Sequence, residues 1–95
     1  MQYLVIAYDG TDSEAKNRRL KVREAHLENV KAMKAKGSFH TGGAILDEAG
    51  WMIGSALFVE FDTEAALNDW LKNDPYVTGG VWVDINVKPV RIVSL

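Results

Sequence analysis

The chain has no cysteine, only two prolines and no long apolar run, and each absence removes a class of protein. Without cysteine there can be no disulfides and no thiolate metal sites. Small domains in oxidising compartments usually carry disulfide staples, so a cysteine-free chain of this size points to the cytoplasm. With so little proline and no low-complexity stretch, nothing reads as linker or disordered tail. The N-terminal run Tyr3-Leu4-Val5-Ile6-Ala7-Tyr8 is too short for a signal peptide or a membrane span, and no positive segment precedes it. An excess of positive charge is also missing. Eleven basic residues face thirteen acidic ones, for a net charge of −2. That balance argues against nucleic acid and against anionic membrane surfaces as partners.

What is present is the composition of a folded domain, 47% hydrophobic and 25% charged over 95 residues. The length suits one domain spanning residues 1–95, with no room for a second core.

Hydrophobic periodicity then sets the elements. Tyr3 to Tyr8 reads as a strand that is apolar on both faces and is closed by the turn signal Asp9-Gly10. A helix is expected from about Ser13 to Lys36, with N-cap candidates among Thr11, Asp12, Ser13 and Glu14. Its apolar stripe reads as Leu20, Leu27 and Val30, and Gly37 follows as a natural stop. Ser38 to Leu46 reads as a second strand, in which Gly42-Gly43 suggests a bulge or a close approach to the backbone. After the turn Asp47-Glu48-Ala49-Gly50, Trp51 to Phe61 forms a third strand, again apolar on both faces. Thr63 to Lys72 is a second helix capped from Asp62-Thr63-Glu64, and Asn73-Asp74-Pro75 ends it. Beyond a loop at Thr78-Gly79-Gly80, Val81 to Val87 alternates. Val81, Val83, Ile85 and Val87 are expected inside, and Trp82, Asp84, Asn86 and Lys88 outside. Residues Val90 to Leu95 either extend this strand or add a fifth.

The order β-α-β-β-α-β is that of a ferredoxin-like α+β fold, an antiparallel sheet with two helices on one face. Strands one and three lie centrally in that layout, and their second apolar face needs a cover. The economical cover is a second copy of the chain, so a homodimer through the sheet face is expected. Trp82, on the outward side of the last strand, is a candidate for that interface.

The residues that could carry chemistry are few. Arg19, Arg23 and His26 fall on one face of the first helix. Histidine titrates near neutral pH and suits proton transfer, while guanidinium groups suit a carboxylate or enolate. The plain alternative is a histidine at the core boundary with solvated arginines. Asp74, just past a helix C-terminus, either makes an Asx turn into Pro75 or orients His26. Tyr76 offers a phenol, and Ser55, among apolar strand neighbours, offers a hydroxyl to a ligand. Ser55, His26 and Asp74 complete a Ser-His-Asp set on paper, but Gly54-Ser55 lacks a nucleophile-elbow context. His40, the other histidine, has no spacing that suggests a metal site, and no phosphate-loop motif occurs.

Four segments carry a family resemblance. Arg23-Glu24-Ala25-His26-Leu27 resembles the R-x-x-H-L segment in the first helix of YciI-like proteins. Gly42-Gly43-Ala44-Ile45 and Gly54-Ser55-Ala56-Leu57 resemble the two glycine-containing strands that follow in that family, although Gly42-Gly43-Ala44 stands where a Gly-Pro turn is common. Asp74-Pro75-Tyr76-Val77-Thr78-Gly79-Gly80 is similar to the family's D-P-Y-x-x-A/G-G segment. The resemblance implies a single YciI-like domain in a dimeric α+β barrel, with an active site built on His26 and Asp74. It further implies dehydrochlorinase-type, that is lyase, chemistry, and the residues themselves fit lyase- or isomerase-type chemistry on a small, anionic organic molecule, with no metal or organic cofactor expected. Arg19, Arg23, Ser55, Tyr76, Gly42 and Gly43 are the expected substrate contacts. A dimeric metabolite-binding module and a cofactor-free oxygenase are the alternatives.

Overall fold

Alternation decides the first strand, β1 (Gln2–Asp9). Tyr3, Val5, Ala7 and Asp9 are buried on one side, while Leu4 and Ile6 on the other side are only half-buried and Tyr8 is exposed. The same division recurs in β3 (Met52–Glu60), where Ser55, Leu57 and Val59 are buried and Ala56 and Phe58 half-buried. In the computed structural model, which describes residues 1–95, these two strands pair antiparallel at the centre of a four-stranded sheet. β2 (Phe39–Leu46) flanks β3 and β4 (Trp82–Val90) flanks β1, giving the order β2-β3-β1-β4. The chain is thus a ferredoxin-like α+β fold, and β4 runs to Val90 without a fifth strand.

Helices α1 (Ala15–Lys36) and α2 (Glu64–Asn73) cover the buried side. Met33, Leu67 and Trp70 join Tyr3, Val5, Leu57 and Val59 in one core. Burial of this apolar surface, on the order of 2 kcal/mol for each large side chain, is what holds helices to sheet. Gly37 ends α1 in the left-handed region at φ 82°, and its N–H bonds back to the last turn. Thr63 caps α2 by accepting from the Ala66 N–H at 3.1 Å. No helix is long and apolar enough to cross a membrane.

The structure corrects four expectations. The inward stripe of α1 is Ala15, Arg19, His26 and Met33, with Val22 half-buried, whereas Leu20 and Leu27 are exposed. Helical period permits either set, and packing against β1 and β3 selects the one that places polar groups inside. Asp9 is not a turn residue but the buried end of β1. Trp82 is not outside. The register shifts between Tyr8 and Asp9, so Tyr8 opposes Asp84 while Asp9 opposes Trp82. That bulge reverses the alternation, burying Trp82 and leaving Val83 exposed. Finally, the loop expected at Thr78-Gly79-Gly80 does not include Thr78, since Pro75–Thr78 forms a single helical turn, α3. The glycines of β2 divide their roles. A side chain on Gly42 would meet the Ala56 carbonyl oxygen at 2.7 Å, whereas Gly43 faces open space.

Candidate active site

Asp74 occupies the junction of α2 and α3, with extended backbone at φ −64° and ψ 135°. Its Oδ1 accepts the Tyr76 backbone N–H at 2.9 Å, the Asx turn that starts α3. The same oxygen lies 2.8 Å from His26 Nδ1, and Oδ2 lies 3.4 Å from Asn29 Nδ2. The plain and the functional readings of Asp74 are therefore compatible, because one fully buried carboxylate does both jobs. A carboxylate only accepts, so His26 Nδ1 carries the hydrogen and donates it to Asp74. His26 Nε2 has no partner within the chain and is not sealed from solvent.

His26 is held in place on its ring faces as well. The Tyr76 ring stacks on it at 3.8 Å between centroids and 11° between planes. Trp82 meets it edge-on at 5.5 Å. Burial pushes the Tyr76 phenol above its ordinary value, with the Arg19 and Arg23 charges opposing, so Tyr76 stays protonated at neutral pH.

Beside this dyad lies a second buried pair. Arg19 Nη1 reaches both oxygens of Asp9 at 2.9 Å, and both side chains are only 5% exposed. Arg19 Nη2 donates to Ser55 Oγ at 3.0 Å, and its guanidinium lies 4.8 Å from the Tyr76 ring centre. Trp82 Nε1 donates to the same Ser55 oxygen at 3.2 Å. Arg19 and Asp9 thus compensate each other's charge inside the protein, which a lone buried guanidinium could not tolerate. Arg23, exposed on the next turn of α1, makes no ion pair.

These groups surround one cavity of about 150 Å³. Arg19, Arg23, His26, Gly42, Gly43, Ser55 and Tyr76 all line it, with Asp74 directly behind His26. Leu27, Val30, Phe39, Met52 and Leu57 supply the apolar wall. The eight residues picked from the sequence as site candidates are therefore gathered at one place. His40 is elsewhere, on β2 beside Glu60 at 2.7 Å. Sequence reasoning missed three supports: Asp9, Trp82 and Asn29. Asp9 was within reach, because counting Tyr3, Val5, Ala7 and Asp9 by twos puts it on the covered face. Asn29 sits three residues after His26, one turn along the helix. Trp82 was hidden by the bulge.

A ferredoxin-like domain with a buried carboxylate–histidine pair opening on a ring-sized cavity defines the class. The YCII-related domain model matches residues 1–91, and the chain belongs to that family. Over 100 residues it is 39% identical to an uncharacterised protein of Haemophilus influenzae, covering 98% of this chain and 99% of that one. It is 35% identical over 99 residues to protein YciI of Escherichia coli, with the same coverage. Among solved structures, it is similar to 5-chloro-2-hydroxyhydroquinone dehydrochlorinase of Burkholderia phenoliruptrix, determined in complex with 2,5-dihydroxybenzoquinone. That likeness has a TM-score of 0.82 at 24% identity, covering 96% of this chain and 94% of the other. A Mycobacterium tuberculosis protein matches with a TM-score of 0.61 at 16% identity, over 99% of this chain and all of its own. At these identities the solved structures speak for the fold.

Proposed function

We propose that the chain is a small-molecule enzyme in which His26 moves a proton on a compact, anionic organic substrate. The observation that carries this is the 2.8 Å contact between Asp74 and His26 Nδ1 inside a cavity that leaves Nε2 free. Asp74 fixes the tautomer and supports the charge that His26 gains on taking a proton. Arg23, uncompensated at the rim, attracts the substrate's negative charge. Tyr76 holds the imidazole plane, and Gly43 leaves room that a side chain would fill.

A void of this size accommodates about one six-membered ring. Elimination and isomerisation both fit. In an elimination the substrate gives a proton to His26 Nε2, and the leaving group departs with its electron pair. The chemistry needs no metal or organic cofactor, since one base and one anion anchor suffice. The dehydrochlorinase with the similar fold makes loss of hydrogen chloride from a chlorinated hydroxyhydroquinone the first reaction to assay. We further propose a homodimer. Leu4, Ile6, Tyr8, Ala56 and Phe58 form an apolar sheet face that the chain's own helices leave uncovered, and a second copy supplies a matching face.

The test is solvent-deuterium uptake or chloride release over a panel of hydroxylated and chlorinated ring compounds. His26→Ala is expected to abolish turnover while leaving the sedimentation coefficient that of a dimer. Binding without turnover in the wild-type protein across that panel would refute the catalytic reading. A monomer at micromolar concentration would refute the dimer.

A further inference from the structure

The hydroxyl of Ser55 has an unequal hydrogen-bond inventory. A serine oxygen has two lone pairs and one hydrogen. Arg19 Nη2 and Trp82 Nε1 are both groups that only donate, and both donate to Ser55 Oγ, at 3.0 and 3.2 Å. The two lone pairs are therefore occupied, and the hydrogen must be given away. No acceptor in the chain takes it. Ser55 is 4% exposed, and the space it borders is the cavity it shares with His26 and Arg23.

We infer that Ser55 is the donor that holds an acceptor oxygen of the ligand: a carboxylate, enolate or phenolate oxygen, and not an amine or other donor. Arg19 and Trp82 are positioning residues that dictate this polarity, and Asp9 anchors Arg19 from behind. The fourth tetrahedral direction of Oγ is the only one left for the hydrogen, so the donor is aimed before the ligand arrives. The arrangement selects by direction. A ligand oxygen fills a vacancy, whereas an N–H at the same place meets the serine hydrogen head-on. This rests on the reading of the cavity as a ligand site, but not on proton transfer by His26.

Benzoate, acetophenone and aniline serve as single-ring probes followed by NMR of the His26 and Tyr76 ring signals and by Kd. Benzoate is an anion with acceptor oxygens, acetophenone a neutral acceptor and aniline a neutral donor. Ser55→Ala is expected to weaken benzoate about tenfold or more, as loss of a hydrogen bond to a charged group does. Ser55→Thr, which keeps the hydroxyl, should hold it near the wild-type value. The wild-type protein should prefer acetophenone to aniline, and Trp82→Phe, which frees one lone pair on Ser55, should narrow that preference. Trp82→Phe carries the test alone should Ser55→Ala unfold. Benzoate bound beside His26 with equal affinity in Ser55→Ala would overturn the donor role and leave the cavity reading standing. So would an unchanged acetophenone preference in Trp82→Phe. Benzoate that leaves the His26 signals of the wild-type protein unmoved at millimolar concentration would overturn both.

Discussion

The chain has two histidines, and each lies within hydrogen-bond reach of a carboxylate. His26 is 2.8 Å from Asp74 with side-chain exposures of 7% and 0%, and His40 is 2.7 Å from Glu60 with exposures of 36% and 42%. The arginines repeat the contrast, Arg19–Asp9 at 5% and 5% exposure against Arg18–Asp12 at 33% and 54%. Contact distance does not separate the members of either set. Surroundings do. The buried pairs border a cavity, share Tyr76 as a neighbour and expose almost none of their surface to water that could replace a lost partner. The exposed pairs can trade partners for water at little cost. Ion pairs that matter to the fold and to the site are those whose loss strands a charge.

Breaking the buried arginine pair should have the largest effect. Asp9→Ala leaves the Arg19 guanidinium uncompensated in the interior, which costs about 3–5 kcal/mol. For a domain of this length that lowers the thermal midpoint by about 15–25 °C, measured by calorimetry or circular dichroism. A loss no larger than that of a surface substitution would mean that water reaches Arg19 and that the contrast is false.

Asp74→Asn comes next. The amide keeps the size but cannot accept on both of its arms, so either His26 Nδ1 or Asn29 loses its acceptor. The stability cost should be about 1–3 kcal/mol. Under the proposed chemistry kcat should fall by about a hundredfold or more with KM little changed, because the imidazole is still present but in the wrong tautomer. Glu60→Gln is the exposed counterpart, and it should leave kcat and the thermal midpoint as they are.

Those contrasts explain how much was legible beforehand. The order of elements and the central placement of strands one and three follow from short-range patterns: alternation, caps and breakers. His26, Asp74, Ser55 and Tyr76 could be singled out because each is chemically out of keeping with its neighbours or resembles a family segment. What one strand of text cannot encode is register. The offset at Tyr8–Asp9, which carries Trp82 inward and brings it to Ser55, depends on how β1 and β4 pair across some seventy intervening residues. The misplaced stripe of α1 has a related cause. Leu20 and Leu27 look like core because leucine usually is, but the sheet opposite them offers Asp9 and Ser55 as partners for a polar face. The buried hydrogen-bond network, together with Met33, Val22 and Val30 on the core, decides which side of this helix turns inward.

The smallest effect is expected at the surface, where the arginine pair can be examined in reverse. The Arg18 side chain donates to both oxygens of Asp12 at 2.9 and 2.7 Å, and this hydrogen bonding holds the Asp12 carboxyl down at about 2. The folded value lies below the unfolded one, so the pair contributes stability above the ordinary aspartate range and loses that contribution as pH falls through about 2. Arg18→Ala should therefore return Asp12 towards its ordinary 3.8, read by carbon-13 NMR of the carboxyl group during an acid titration. At neutral pH the same variant should melt only slightly below the wild-type protein and far above Asp9→Ala, since water takes over both oxygens. If instead Arg18→Ala destabilised the fold as much as Asp9→Ala, burial would not be what separates the two pairs. The bond from Arg18 Nε to the Gly80 carbonyl at 3.2 Å, which ties α1 to the start of β4, would then be the element to pursue.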